Sequence, residues 1–188
     1  MKKVAVLLAE GFETIEALTT VDILRRAGVI CNTFSIKELE VTTSHNITIK
    51  ADKILSDEVY DYDAVVLPGG MPGAVNLRDD ERVINLLKEF NSKNKIIAAI
   101  CAGPIVLAKA GILKDKICTC SPGFETQLTG ANYQEAIVQK DDYIITGKGP
   151  AAALEFGYTI LESLGYDSSN LRQGMQYEYL MNVEAHKE

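Results

Sequence analysis

The stretch Ile96-Ile97-Ala98-Ala99-Ile100-Cys101-Ala102-Gly103-Pro104 decides how the rest of the chain reads. Five apolar residues in a row predict a strand buried on both faces, as in a parallel sheet covered by helices. The run ends in a cysteine flanked by small residues, and a proline follows where a helix would begin. Ala99-Ile100-Cys101-Ala102-Gly103 has the small-x-nucleophile-x-Gly form of a nucleophile elbow, with Cys in place of Ser. Two similar units lie upstream: Val4 to Leu8 running into Glu10-Gly11, and Ala64 to Leu67 running into Pro68-Gly69-Gly70.

Working outward, strand-like runs alternate with helical ones, which predicts an α/β fold with a mostly parallel sheet. Ile15, Leu18, Val21 and Leu24 recur at helical spacing and the pattern stops at Ala27-Gly28. Ile30 to Ile36 reads as the second strand. Leu39 to Asp52 alternates around Ser44-His45-Asn46, a two-stranded excursion apart from the main sheet. A helix is expected over Asp80 to Phe90, a short one between Pro104 and Ala110, and a strand at Tyr143 to Thr146. Ile117 to Val138 is less regular. Gly149-Pro150 opens a helix that closes at Gly165, and residues 168–183 carry a weaker helical pattern. No repeat or linker interrupts the chain, so one domain is expected over 1–188, with 168–188 as C-terminal helix and tail.

The chain has 188 residues, 19 basic against 26 acidic, a formal net charge of −7, and 47% apolar residues. A chain this long buries roughly 70% of its unfolded surface without metal or disulfide staples. The acidic balance, with no basic cluster, argues against nucleic acid as the principal partner. No apolar run reaches the roughly 18 residues of a membrane span, and the N-terminal run is too brief for a signal, so a cytoplasmic protein without membrane attachment is expected. Cys31, Cys101, Cys118 and Cys120 include no C-x-x-C pair, and His45 and His186 stand far apart, so no metal cluster is expected. Cys118 and Cys120 should share a face and stay reduced.

In a parallel sheet the ligand sits at the carboxyl ends of strands, where the three tight turns should converge. The thiol of Cys101 would lie near the N-terminus of the next helix, whose partial positive charge favours thiolate near neutral pH. A plain buried cysteine is the alternative reading. Gly70 and Ala102 can each offer a backbone N–H to an oxyanion, although Pro68-Gly69-Gly70 also reads as a simple turn. Glu10, Glu13 and Glu16 fall at the end of the first strand or in the first turn of its helix, where acidic residues also occur for dipole reasons alone. Glu16 is preferred because it is flanked by Ile15 and Ala17, where a carboxylate needs a specific partner.

Glu13-Thr14-Ile15-Glu16, Val21 to Gly28, Val66 to Gly70, Ala98 to Pro104 and Gly149-Pro150 together resemble the ThiJ/PfpI superfamily, closest to the branch of the parkinsonism-associated protein DJ-one. The resemblance covers about residues 3–166. It implies a flavodoxin-like three-layer sandwich, a homodimer, Cys101 as nucleophile or oxidisable thiol, and Glu16 as a protonated carboxyl that hydrogen-bonds the cysteine. It also implies Gly70 and Ala102 as the oxyanion donors. Ala102 stands where the protease-like branch has His, which argues against a peptidase. Ser121-Pro122 occupies the region where DJ-one carries a histidine before a proline, so a His partner is missing there. His45 falls on the excursion near the family's dimer interface, where it is either an across-dimer contact or an exposed turn residue.

The expected function is a cysteine-dependent, cofactor-independent glyoxalase or deglycase acting on methylglyoxal-like dicarbonyls or their glycated adducts, linked to oxidative and carbonyl stress. The alternative is a redox sensor or redox-responsive chaperone working through oxidation of Cys101 to sulfinate.

Overall fold

The computed structural model describes residues 1–182. The chain runs β1 (Lys3–Leu8), α1 (Thr14–Arg26), β2 (Ile30–Ser35), then a hairpin of β3 (Glu40–Thr42) and β4 (Thr48–Lys50), and the two-residue β5 (Lys53–Ile54). Next come β6 (Ala64–Leu67), α2 (Gly73–Arg78), α3 (Glu81–Ser92), β7 (Ile96–Ile100) and α4 (Pro104–Lys109). The last third holds β8 (Ile117–Cys118), β9 (Asn132–Tyr133), β10 (Val138–Asp141), β11 (Ile144–Gly147), α5 (Ala153–Ser163), α6 (Ser169–Gly174) and α7 (Tyr177–Met181).

The main sheet has the order β10-β11-β7-β6-β1-β2-β5. All its pairings are parallel except that of β10 with β11. Without the two edge strands the order is that of a flavodoxin-like sheet, whose direction of winding reverses between β1 and β6. Side chains alternate across the sheet, as the two-residue repeat requires. In β1, Val4, Val6 and Leu8 face a core shared with α1 and α5, while Ala5 and Leu7 face one shared with α2, α3 and α4. This is the expected α/β fold with a mostly parallel sheet between helical layers.

Several local expectations shift. The helix-spaced set in α1 includes Ile15 and Leu18, yet Ile15 is 53% exposed, and the buried face is Glu16, Ala17, Thr20, Val21, Ile23 and Leu24. Small side chains at 17 and 20 let the helix lie close to its neighbours, which turns Ile15 outward. The strand expected at Tyr143 to Thr146 is observed at Ile144–Gly147, and it pairs with β10, a strand the sequence does not announce between the less regular stretch and Tyr143. The single weak helix expected over 168–183 is two short helices, broken where Gln176 takes a left-handed backbone at φ +61°; residue 183 lies outside the described residues.

The helix opened by Gly149-Pro150 begins as a 3-10 turn at Pro150–Ala152 before α5. α5 lies across α1 at Gly157, where an added Cβ would meet Ile23 Cδ1 at 2.6 Å. Filling that contact overpacks the α1–α5 layer. Gly157→Val is expected to cost about 2 kcal/mol of unfolding free energy, partly recovered by Ile23→Ala in the same chain. Urea unfolding of the single and double variants checks this; an unchanged midpoint for Gly157→Val would contradict the packing described.

Candidate active site

The carboxyl ends of β1, β6 and β7 bring together the first turn of α1, the turn at Gly69-Gly70, and Cys101. Cys101 adopts φ +64°, a left-handed backbone that costs strain in any residue with a Cβ. Three hydrogen bonds hold it there: Cys101 N–H donates to Gly147 O at 2.9 Å, Ser121 N–H donates to Cys101 O at 3.0 Å, and Gly103 N–H donates to Ile100 O at 2.8 Å. Gly103 is required by close approach, because a Cβ there would sit 2.6 Å from Leu67 O. The elbow expected from the sequence therefore has a physical frame: β6 and β11 flank it, and only a glycine fits at its exit.

Glu16 is fully buried. Its Oε2 accepts from Gly69 N–H at 2.7 Å. Its Oε1 is buried and has no hydrogen-bond partner, while the Cys101 thiol faces the same carboxyl group. Glu13 caps the helix: its Oε2 accepts from Glu16 N–H at 2.8 Å, and its own N–H donates to Gly69 O at 3.0 Å. Gly69 is wedged between these groups, since a Cβ there would lie 2.7 Å from Cys101 Cβ, 2.9 Å from Ala102 N and 2.9 Å from Glu16 Oε2. The sequence analysis singled out Gly70 and passed over Gly69, although both follow the same buried strand.

Burial pushes the Glu16 carboxyl up to about 7; the Gly69 hydrogen bond and the facing Cys101 thiol oppose this and the charge of Glu13 adds to it. The Cys101 thiol is also pushed up, to about 11, first by burial and then by the negative charge of Glu16. Hydrogen bonds from the Ser121 hydroxyl and Ala102 N–H pull it down. This corrects the expectation of a thiolate made at neutral pH by a helix dipole: α4 is only six residues long, and the thiol is paired with an acid in a poorly solvated place. Both groups therefore hold their protons more tightly than they would in water, and each one's charge disfavours the other's.

Of the other candidates, Gly70 adopts φ +84°, and a Cβ there would meet Gly11 O at 2.4 Å, so it packs against the turn after β1. Ala102 N–H lies at the thiol. His45 is exposed at the β3–β4 hairpin, with Nδ1 3.1 Å from Ser44 Oγ; Ser44 N–H donates to Phe12 O, which ties the hairpin to the start of α1. Glu10 is exposed and serves as a tie, its Oε1 accepting from Thr42 N–H. Ser121 is the partner that the sequence analysis noted only as the place of an absent histidine. Cys118 and Cys120 are fully buried, reduced and in the same core.

Residues 2–163 match the model of the DJ-1/PfpI family. The chain belongs to the DJ-1/PfpI family. It is 38% identical over 169 residues to the Parkinson disease protein 7 homolog of Danio rerio, covering 87% of this chain and 89% of that one. Protein dj-1beta of Drosophila melanogaster is likewise 38% identical over 168 residues, with 87% and 89% covered. The solved Drosophila DJ-1beta superposes with a TM-score of 0.88 at 35% identity, over 93% of this chain and 97% of that one. A DJ-1 superfamily protein from Salmonella typhimurium, solved as a cysteine-to-alanine mutant, gives a TM-score of 0.87 at 36% identity, over 95% and 98%.

The raised pKa of Glu16 makes folding stability depend on pH. A carboxyl that binds its proton more tightly when folded contributes stability that is full below about pH 4.5 and is lost as pH rises through about 7. Glu16→Gln removes that dependence while keeping an acceptor for Gly69 N–H. The stability of the variant relative to wild type should therefore improve by roughly 2 to 3 kcal/mol between pH 5 and pH 8. Denaturant titrations at the two pH values check this, and a constant difference would contradict the protonation described.

Proposed function

We propose that this DJ-1/PfpI protein is a glyoxalase or deglycase that uses Cys101 as nucleophile and Glu16 as its proton carrier, acting on methylglyoxal-like dicarbonyls or their adducts without a cofactor. The family includes enzymes with a cysteine nucleophile, and membership in it supports a DJ-1-like function in oxidative stress. The observation that carries the finer reading is the facing pair of Cys101 thiol and buried Glu16 carboxyl. A proton leaving sulfur has an acceptor there in the Glu16 carboxyl, whose Oε1 has no hydrogen-bond partner.

The chemistry follows from that pairing. With Glu16 in its ionised form, populated from about pH 7 upward, the thiol proton passes to it as the sulfur attacks the aldehyde carbon and then goes to the former carbonyl oxygen, giving a hemithioacetal. The oxygen is stabilised by Ala102 N–H and by the Gly70 amide. Glu16, again a carboxylate, takes the proton from the former aldehyde carbon and returns it to the neighbouring carbon, while the hydroxyl proton moves from the former aldehyde oxygen to the neighbouring oxygen through the enediol, which leaves a thioester of a 2-hydroxy acid. Water hydrolyses the thioester, releases the hydroxy acid and restores the thiol. The net change is addition of one water, with no oxidant or reductant.

The assembly is proposed to be a cytoplasmic homodimer. Ile15, Ile47 and Met71 are each about half exposed and come from elements joined at Phe12 and Glu13, which supports a covered apolar face there. Among the described residues no helix is long and apolar enough to cross a membrane. His45, at the edge of that face, is proposed to contact the second subunit.

The second reading is peroxide sensing, favoured by one specific observation: Cys101 is partly accessible beside an unpartnered carboxyl oxygen. One peroxide converts the thiol to sulfenic acid and water, and a second gives the sulfinic acid. A related structure, the DJ-1 of Toxoplasma gondii, was solved oxidised, with a TM-score of 0.86 at 34% identity over 96% of this chain and 98% of that one.

Lactate production from methylglyoxal by metal-free, glutathione-free protein tests the first reading. Multiple turnovers are expected in wild type, with at least about a hundredfold loss in Cys101→Ser and in Glu16→Gln, the usual scale of a lost nucleophile or acid-base group. Product limited to one equivalent in wild type would reject the dicarbonyl reading.

A further inference from the structure

Among the described residues, Glu13 is the one carboxylate other than Glu16 that joins the hydrogen bonds around Gly69. Three contacts close a ring. The Glu13 side chain holds Glu16 N–H, the Glu16 side chain holds Gly69 N–H, and Gly69 O accepts from Glu13 N–H. An ordinary helix cap needs only the first of these. Here the cap is also 9% exposed, and its carboxylate lies one helical turn from a carboxyl that has no contact with water.

We propose that Glu13 is a positioning residue for the acid-base pair: its carboxylate fixes the turn of α1 that aims Glu16 at Gly69 and Cys101, and its negative charge opposes a second charge on Glu16, keeping the proton available there. This rests on the reading of Glu16 as proton carrier. Poor solvation strengthens the repulsion that the Glu13 charge exerts on a charge at Glu16.

The groups that act on Glu16 come from three elements. Glu13 lies on its own helix, the Gly69 amide on the turn after β6, and Cys101 on the elbow after β7. Ser121 acts one step further out, through the thiol. The acidic residues Glu155 and Glu162 of α5, the helix packed on α1, are engaged by Arg172 instead. Glu13 is therefore the only fixed charge acting on the pair among the described residues. Its placement lets the sequence set the pair's proton affinity without altering either reacting group.

The test separates charge from capping and does not depend on turnover. Glu13→Gln keeps an acceptor for Glu16 N–H and removes the charge; Glu13→Asn is a second neutral cap, and Glu13→Asp keeps the charge. The readouts are the midpoint of the Glu16 carboxyl titration, followed by carbon-13 NMR, and the pH profile of Cys101 alkylation by iodoacetamide. Both neutral variants should move the Glu16 midpoint down by at least half a pH unit, about a threefold change in proton affinity, and move the alkylation profile with it. Glu13→Asp should stay near wild type.

A double-mutant cycle of Glu13→Gln with Glu16→Gln adds a stability readout. Coupling should appear at pH 8, where Glu16 is ionised, and vanish at pH 5. A pure cap would give a loss independent of pH, an unmoved midpoint and no pH-dependent coupling, and that outcome overturns the proposal. Absence of lactate formation together with a moved midpoint would reject the dicarbonyl reading and leave the positioning role standing.

Discussion

One hydrogen bond, from Gly69 N–H to the buried carboxyl of Glu16 at 2.7 Å, ties the first helix to the turn that faces the nucleophile. A carboxyl group without water is costly unless it is paired or neutral. This one has a single strong donor and one oxygen with none. Neutralisation meets the rest of the cost, which is why its acidity moves toward neutral pH. The elements around it are shaped to hold that arrangement. Glycines at 69, 70 and 103 let three backbones approach, and the Cys101 backbone is strained so that its thiol faces the acid.

The strained elbow and the dry acid depend on each other. If Glu16 carried a permanent charge, its repulsion would make the thiol harder still to ionise. If the thiol were alone in its pocket, desolvation would leave it inert. Held together they can pass one proton between sulfur, carboxyl and substrate without water as carrier. A pair of this kind suits addition to a reactive carbonyl, and it also stabilises an oxidised sulfur. The same geometry therefore supports the turnover reading and the sensing reading, which differ in chemistry downstream of the first proton transfer.

Much of this was legible in the sequence. The apolar runs at Val4, Ala64 and Ile96 could only be strands buried on both faces, and the small residues after Cys101 required a tight elbow. What escaped reading was set by tertiary contacts. Ile15 fits the helical repeat yet faces outward, because the smaller Ala17 and Thr20 pack better underneath. Val138–Asp141 has too little apolar character to declare itself, and it becomes a strand by pairing with β11. Gly69 and Ser121 carry no residue-type signal for their roles, since one acts through its backbone and the other through a hydroxyl common to many loops. The thiol's acidity was misread for a related reason: a helix N-terminus is visible in sequence, whereas desolvation beside an acid is not.

The central claim is that Glu16 is the group that holds the proton in this pocket. Difference infrared spectroscopy of wild type against Glu16→Gln, scanned with pH, measures this directly through the carbonyl stretch of a protonated carboxylic acid. The account predicts a protonated-acid band assignable to Glu16 that persists well above pH 5 and titrates near pH 7. Loss of that band with an ordinary carboxylate midpoint, near pH 4.5, would contradict it.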